Sequence, residues 1–168
     1  MDDFDAYVRA RGAALLRFAF LLCADSHRAE DFVQEALARC HRRWHRIERD
    51  ANPDAYVRKA ILRQYLSWRR RRSAGERAVE DVGDTRVIGD DSQRVVDQDA
   101  LWRALARLPR RQRAVLVLRF YEDLPDDRIA ELLGCSRATV RVHASRALAW
   151  LRTHPDVVSG FRTVEVST

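Results

Sequence analysis

Lysine is nearly missing from this chain: of 31 lysine and arginine residues only Lys59 is a lysine, a bias that reads as a coding preference rather than as site chemistry. Cysteine is scarce as well. Cys23, Cys40 and Cys135 lie apart inside helical patterns, so buried thiols fit better than a disulfide or zinc framework. His41 and His45 stand four apart, as helical metal ligands can, but no third ligand is near and flanking arginines would repel a cation. No apolar run is long enough to cross a bilayer, and MDDFDAYVRARG carries acids where an export signal carries bases, so a cytoplasmic location is expected. No P-loop, Rossmann glycine pattern, H-E-x-x-H or serine-histidine-acid arrangement is legible, so no enzyme and no cofactor is expected.

What is present is charge and helical period. The 168 residues suffice for one domain or two small ones, and 46% hydrophobic content supports packed cores. A net charge of +6 points to an acidic partner, nucleic acid ahead of a membrane surface. That charge is unevenly spread. Between Ser73 and Ala100, glycines, scattered valines and eight acidic residues against three arginines make a segment of net −5, leaving +11 for the remainder. It reads as a flexible linker, with an irregular surface loop or a short helix as the simpler alternative.

Both flanks read as helical, giving an all-α chain of two small domains: residues 1–72, a linker over 73–97, a second domain over 98–153 and a tail over 154–168. In the first, Phe4, Tyr7, Val8, Leu15, Phe18 and Leu22 keep a helical period. A second helix after Asp25-Ser26 carries Phe32, Val33, Ala36, Leu37, Cys40 and Trp44 inward. A third restarts at Asn52-Pro53, a cap followed by a proline whose missing N–H costs nothing in the first turn. In the second domain Leu101, Trp102, Leu105 and Leu108 form one segment, and Val115, Leu116, Leu118 and Phe120 another that opens at Pro109.

Three stretches carry the candidate chemistry. In the first, a helix over Pro125–Leu133, the turn Gly134-Cys135-Ser136 and a second helix from Arg137 make a helix-turn-helix. Ser136 caps, Val140, Ala144, Ala147, Leu148 and Leu151 form the packed stripe, and Arg137, Arg141 and Arg146 are left for guanine edges and phosphates. Arg137 and Thr139 lie in the first turn, where the helix dipole favours phosphate. A plain helical hairpin is the bland alternative. In the second, Tyr56, Tyr65 and Trp68 interleave with Arg58, Lys59, Arg63 and Arg69, which suits unstacked bases or, ring by ring, a packed core. In the third, the apolar face of AEDFVQEALARCHRRW leaves Asp31, Gln34 and Glu35 outside it, as an ordinary solvated face would.

Taken in order, AEDFVQEAL, NPDAYVRKAI with its arginine cluster, and RIAELLGCSRATVRVHASRALAWLR resemble bacterial sigma factors of the small extracytoplasmic-function group, closest to the short actinobacterial, SigE-like type. The resemblance implies a non-catalytic subunit that binds core RNA polymerase, directs it to promoter DNA, helps open the duplex and leaves. It assigns Asp31, Gln34 and Glu35 to the coiled-coil clamp of the large polymerase subunit. It assigns Trp44, Asn52, Tyr56, Arg58, Arg63 and Arg69 to single-stranded minus-ten DNA with a flipped base. Arg141, Val142, Ser145 and Arg146, with Arg137 and Thr139 in the first turn, fall to the duplex minus-thirty-five element, and the acidic linker to the basic polymerase cleft. An anti-sigma factor is the regulatory partner it would bring; no membrane is implied. Arg63 stands where many relatives have asparagine, and Arg128-Ile129-Ala130 where they have Glu-Ile-Ala. The competing reading is a free-standing helix-turn-helix regulator whose N-terminal half senses a ligand or dimerises.

Overall fold

The computed structural model describes residues 3–49, 52–75 and 104–154, with side chains through residue 68 of the second stretch. Every regular element among them is helical, and the chain divides into two compact units at Thr85–Arg86. The acidic connector beyond Gly75, Leu101, Trp102 and the tail beyond His154 lie outside the described residues.

The first unit holds α1 (Asp3–Cys23), α2 (Ser26–His41), α3 (Trp44–Arg49) and α4 (Pro53–Gly75). Helix α4 runs three residues past the boundary expected at residue 72. Its starts are local and legible: the Asp25 side chain accepts from Arg28 N at 3.1 Å to open α2, and Asn52 Oδ1 accepts from Ala55 N at 3.2 Å to open α4. Helices α1, α2 and α4 pack pairwise around Leu15, Phe18, Leu22, Ala36, Val57 and Ile61, all fully buried. Trp44 does not continue α2 as its spacing suggested. The chain turns at Arg42-Arg43, where Arg43 N bonds Cys40 O at 3.0 Å, and restarts as α3. That turn lays the Trp44 ring against Phe4 (5.0 Å) and Tyr7 (4.9 Å) of α1. Aromatic contacts of this geometry add to simple burial.

A second tie spans the unit. Asp54, in the first turn of α4, accepts from Tyr7 Oη (2.9 Å) and Arg11 Nε (3.1 Å) of α1 and from Arg58 Nη1 (3.1 Å) one turn on, and it also pairs with Arg11 Nη2. Burial alone would raise the Asp54 pKa, but the hydrogen bonds from Arg11 and Tyr7 and the charges of Arg58 and Arg11 outweigh it and hold the carboxyl below its ordinary range. Burial and the same carboxylate push the Tyr7 phenol up.

The second unit begins with helical residues 104–107, followed by α5 (Arg110–Leu116), which widens into a π-helical turn over Val117–Tyr121, then α6 (Asp126–Leu133) and α7 (Arg137–Arg152). The wider turn rolls Phe120 out of the stripe the sequence suggested, leaving it 40% exposed beside an exposed Tyr121. Helix α7 packs on α5 and α6 through Val140, Ala144, Ala147 and Leu151, and Ile129 and Leu133 of α6 complete the core; Leu148 sits at its margin.

Gly134 closes α6 at φ 63°, ψ 40°, a left-handed turn that directs α7 away. A Cβ there would meet no atom within 4 Å, so replacing Gly134 by alanine costs backbone strain alone. The expected loss is about 1 kcal/mol, a fall of roughly 5 °C in the calorimetric midpoint of this unit.

Candidate nucleic-acid interface

Helix α7 presents its outer face in an ordered way. Ser136 Oγ accepts from Thr139 N at 3.1 Å, and the Thr139 hydroxyl meets Ser136 Oγ at 2.8 Å, so Thr139 is half-buried in the cap rather than directed outward. Arg137, Arg141, Ser145 and Arg146 are exposed and Val142 is 45% exposed. Ala138, Val142, Ser145 and Ala149 recur at helical spacing as a ridge of short side chains, with Arg137, Arg141 and Arg152 on one flank and Arg146 on the other. A helix–turn–helix with this ridge can enter a major groove.

Two further polar groups belong to this unit. Arg111 Nη1 donates to Leu133 O at 3.0 Å, fastening α5 to the end of α6. His143, on α7 itself, is half-buried; burial first, and then the charges of Arg111 and Arg146, hold its pKa below the ordinary range.

The first unit offers a second cationic surface. A shallow pocket of about 120 Å³ is lined by Arg43, Arg46, Ile47, Asn52 and Tyr56. Tyr56, 45% exposed, lies on the outer face of α4 with Lys59 and the exposed Arg63 at successive turns. Arg43 and Arg46 escaped the sequence reading; the available signal was the pair of arginines three apart around α3, whose other side buries Trp44 and Ile47.

Not every expected member of this surface is on it. Trp44, 5% exposed, stands beneath it among Phe4 and Tyr7. Arg58 turns to Asp54. Of the three interleaved rings, Tyr65 is fully buried core, and Trp68 is half-buried against Phe32 (6.0 Å) under the Arg28 guanidinium (4.4 Å). The side chain of Arg69 lies outside those described.

Asp31, Gln34 and Glu35 are all exposed on α2, opposite its buried face. His27, Glu30 and Ala38 share that surface, and Glu35 pairs with Arg39 at 2.6 Å. An acidic face of this kind on a basic chain favours cationic over anionic surfaces. Among the described residues no cluster could hold a metal ion, and no helix is long and apolar enough to cross a membrane. None of the three cysteines is in a disulfide; Cys23 and Cys40 are buried, and burial pushes the Cys40 thiol up to about 11, whereas Cys135, in the turn before α7, is half-buried.

Comparison with known proteins places these two surfaces in matching segments. Residues 7–75 match the Sigma-70 region 2 family profile, and residues 98–151 match that of Sigma-70, region 4. The chain is 37% identical over 150 residues to the RNA polymerase sigma-E factor of Streptomyces coelicolor, spanning 89% of this chain and 84% of that one. It is 31% identical over 149 residues to the ECF RNA polymerase sigma factor SigM of Mycobacterium tuberculosis, spanning 88% and 74%. The fold matches the sigma factor RpoE of Bartonella quintana, solved in complex with the anti-sigma factor NepR, with a TM-score of 0.71 over 91% of this chain and 96% of that one at 23% identity.

Proposed function

Because this chain belongs to the ECF RNA polymerase sigma factors, with sigma-70 regions 2 and 4 in order, it directs RNA polymerase to promoters, and we propose that its two units divide that task as follows. The acidic face of α2, with Asp31, Gln34 and Glu35, docks on the clamp coiled coil of the large polymerase subunit. Tyr56, Asn52 and Arg63, joined by Arg43 and Arg46, receive the unstacked non-template strand of the minus-ten element. Trp44 and Arg58 act from below by holding α3 and α4. Arg137, Arg141, Val142, Ser145 and Arg146 read the minus-thirty-five duplex, while Thr139 fixes the start of the reading helix.

One observation carries the reading of the first unit. Tyr56 leaves a large ring in solvent beside a pocket bounded by two arginines and an amide, which is what an extruded base needs: a stacking face, cations for the backbone and a hydrogen-bonding partner. The second unit supplies what duplex reading needs. Specificity arises when the polymerase holds both surfaces on one promoter. The domain limits of this reading are residues 1–72, 73–97, 98–153 and 154–168, and the negative charge of the second segment suits the basic cleft that nucleic acid later fills. The chain works in the cytoplasm, catalyses nothing itself and needs no cofactor, and an anti-sigma factor is its candidate regulatory partner.

Run-off transcription with purified core polymerase tests the division. Added chain is expected to make initiation promoter-specific, while the chain alone binds a short promoter duplex feebly. Replacing Tyr56 by alanine is expected to slow duplex opening about tenfold, followed by permanganate reactivity, and to leave closed-complex affinity nearly unchanged. Tight sequence-specific binding without polymerase, or equal loss in both steps, overturns it.

A further inference from the structure

Asp126 sits at the first position of α6, 18% exposed, facing the helix that reads DNA. A carboxylate so close to a phosphate-binding surface repels the ligand. Two arginines from different elements meet it. Arg119, in the π-helical turn, donates from Nε to Oδ1 at 3.1 Å and pairs with the same oxygen through Nη2. Arg141 of α7, 63% exposed, brings its Nε to 3.5 Å from the other oxygen, Oδ2. One oxygen is thus held from the interior side and the other meets a side chain that otherwise stands in solvent. Hydrogen bonds from Arg119 outweigh burial and, with the Arg119 and Arg141 charges, keep the Asp126 carboxyl below its ordinary range, so the contact is ionic at neutral pH.

We infer that Asp126 is a positioning residue for sequence reading: anchored by Arg119, it holds the Arg141 guanidinium at Nε and so presents the two terminal nitrogens to a guanine edge. An arginine held at Nε still offers its Nη pair, the pair that meets guanine O6 and N7. Long exposed side chains lose rotamer freedom when they dock, and a preset arginine loses less of it. A guanidinium whose direction is fixed also discriminates better than one free to swing to a phosphate. The wider turn at Val117–Tyr121 then has a use, since it is the element that supplies Arg119. This inference rests on the proposed reading of duplex DNA by α7.

The test uses the chain assembled with core polymerase and a promoter duplex selected by that holoenzyme from random DNA. Each base pair of the upstream element is replaced in turn. Arg141→Ala is expected to lose about tenfold in preference at one G·C pair. Asp126→Asn is expected to lose most of the same preference at the same pair, with affinity for random duplex unchanged or raised because an acid has been removed. The double variant should lose no more than Arg141→Ala, and Asp126→Glu, which keeps the charge, should restore most of the preference. If Asp126→Asn keeps the preference that Arg141→Ala loses, the inference fails and the reading of DNA by α7 stands. A uniform loss across all base pairs marks a merely structural role and also overturns it. If Arg141→Ala changes no preference, Arg141 does not read a base, and both fall.

Discussion

Replacing Asp54 by alanine is expected to remove about 2 to 3 kcal/mol from the stability of the α1–α4 unit. The Tyr7 hydroxyl and the guanidinium groups of Arg11 and Arg58 all lose this shared acceptor at once. The Arg11 side chain is 41% exposed, so water recovers part of the loss and the full penalty of a buried unpaired charge does not apply. Hydrogen exchange reads each unit separately: amides of α1 and α4 should exchange on the order of 30- to 150-fold faster, with α5–α7 unchanged. Acid provides the second half of the test. The Asp54 carboxyl is held below its ordinary 3.8, so its contribution is complete above that value and is lost as pH falls through the lower, folded value. The unit should therefore weaken below about pH 4, and Asp54→Asn should lack that step. Unchanged α1 and α4 protection in the alanine variant would show that the tie is ornamental.

Reversing the acidic face of α2 with Asp31→Arg and Glu35→Arg together should weaken association with core polymerase about 100-fold, roughly 2.7 kcal/mol. Neither residue supports the fold by burial, and the Glu35–Arg39 pair is a surface contact worth at most about 1 kcal/mol, so the melting temperature should barely move. The deficit should shrink as salt is raised, because exposed charges are screened within about 8 Å at physiological ionic strength. Fluorescence titration of labelled chain with core enzyme checks it. Undiminished affinity would assign the docking surface elsewhere on the unit.

The sequence was legible where a decision is made by residues close in the chain. Ser136 caps α7, Asn52 and Pro53 open α4, Asp25 opens α2 and Gly134 takes the left-handed turn, each by contacts within four residues. The outward placement of Arg137, Arg141, Val142, Ser145 and Arg146 follows from the 3.6-residue period once the packed stripe is known. Partner choice across the unit was not legible. Asp54 meets Tyr7 and Arg11 from more than 40 residues away, a tie that no local pattern announces. Tyr65 and Tyr56 look alike in the sequence, and only the packing of α4 decides that one is core and the other surface. The two arginines beside the pocket depend on the break between α2 and α3, which a continuous apolar period concealed.

The ridge of Ala138, Val142, Ser145 and Ala149 sets how closely α7 can approach the base pairs. A helix is about 10–12 Å across with its side chains, and the major groove is about 12 Å wide, so seating depth is decided by the leading edge. Nothing on that edge is longer than valine, while the arginines stand to either side. In the proposed complex the backbone can thus settle low between the sugar-phosphate walls, with Arg137 and Arg152 on one side and Arg146 on the other acting like outriggers that steady the helix without lifting it off the floor, while Arg141 turns to the base edge.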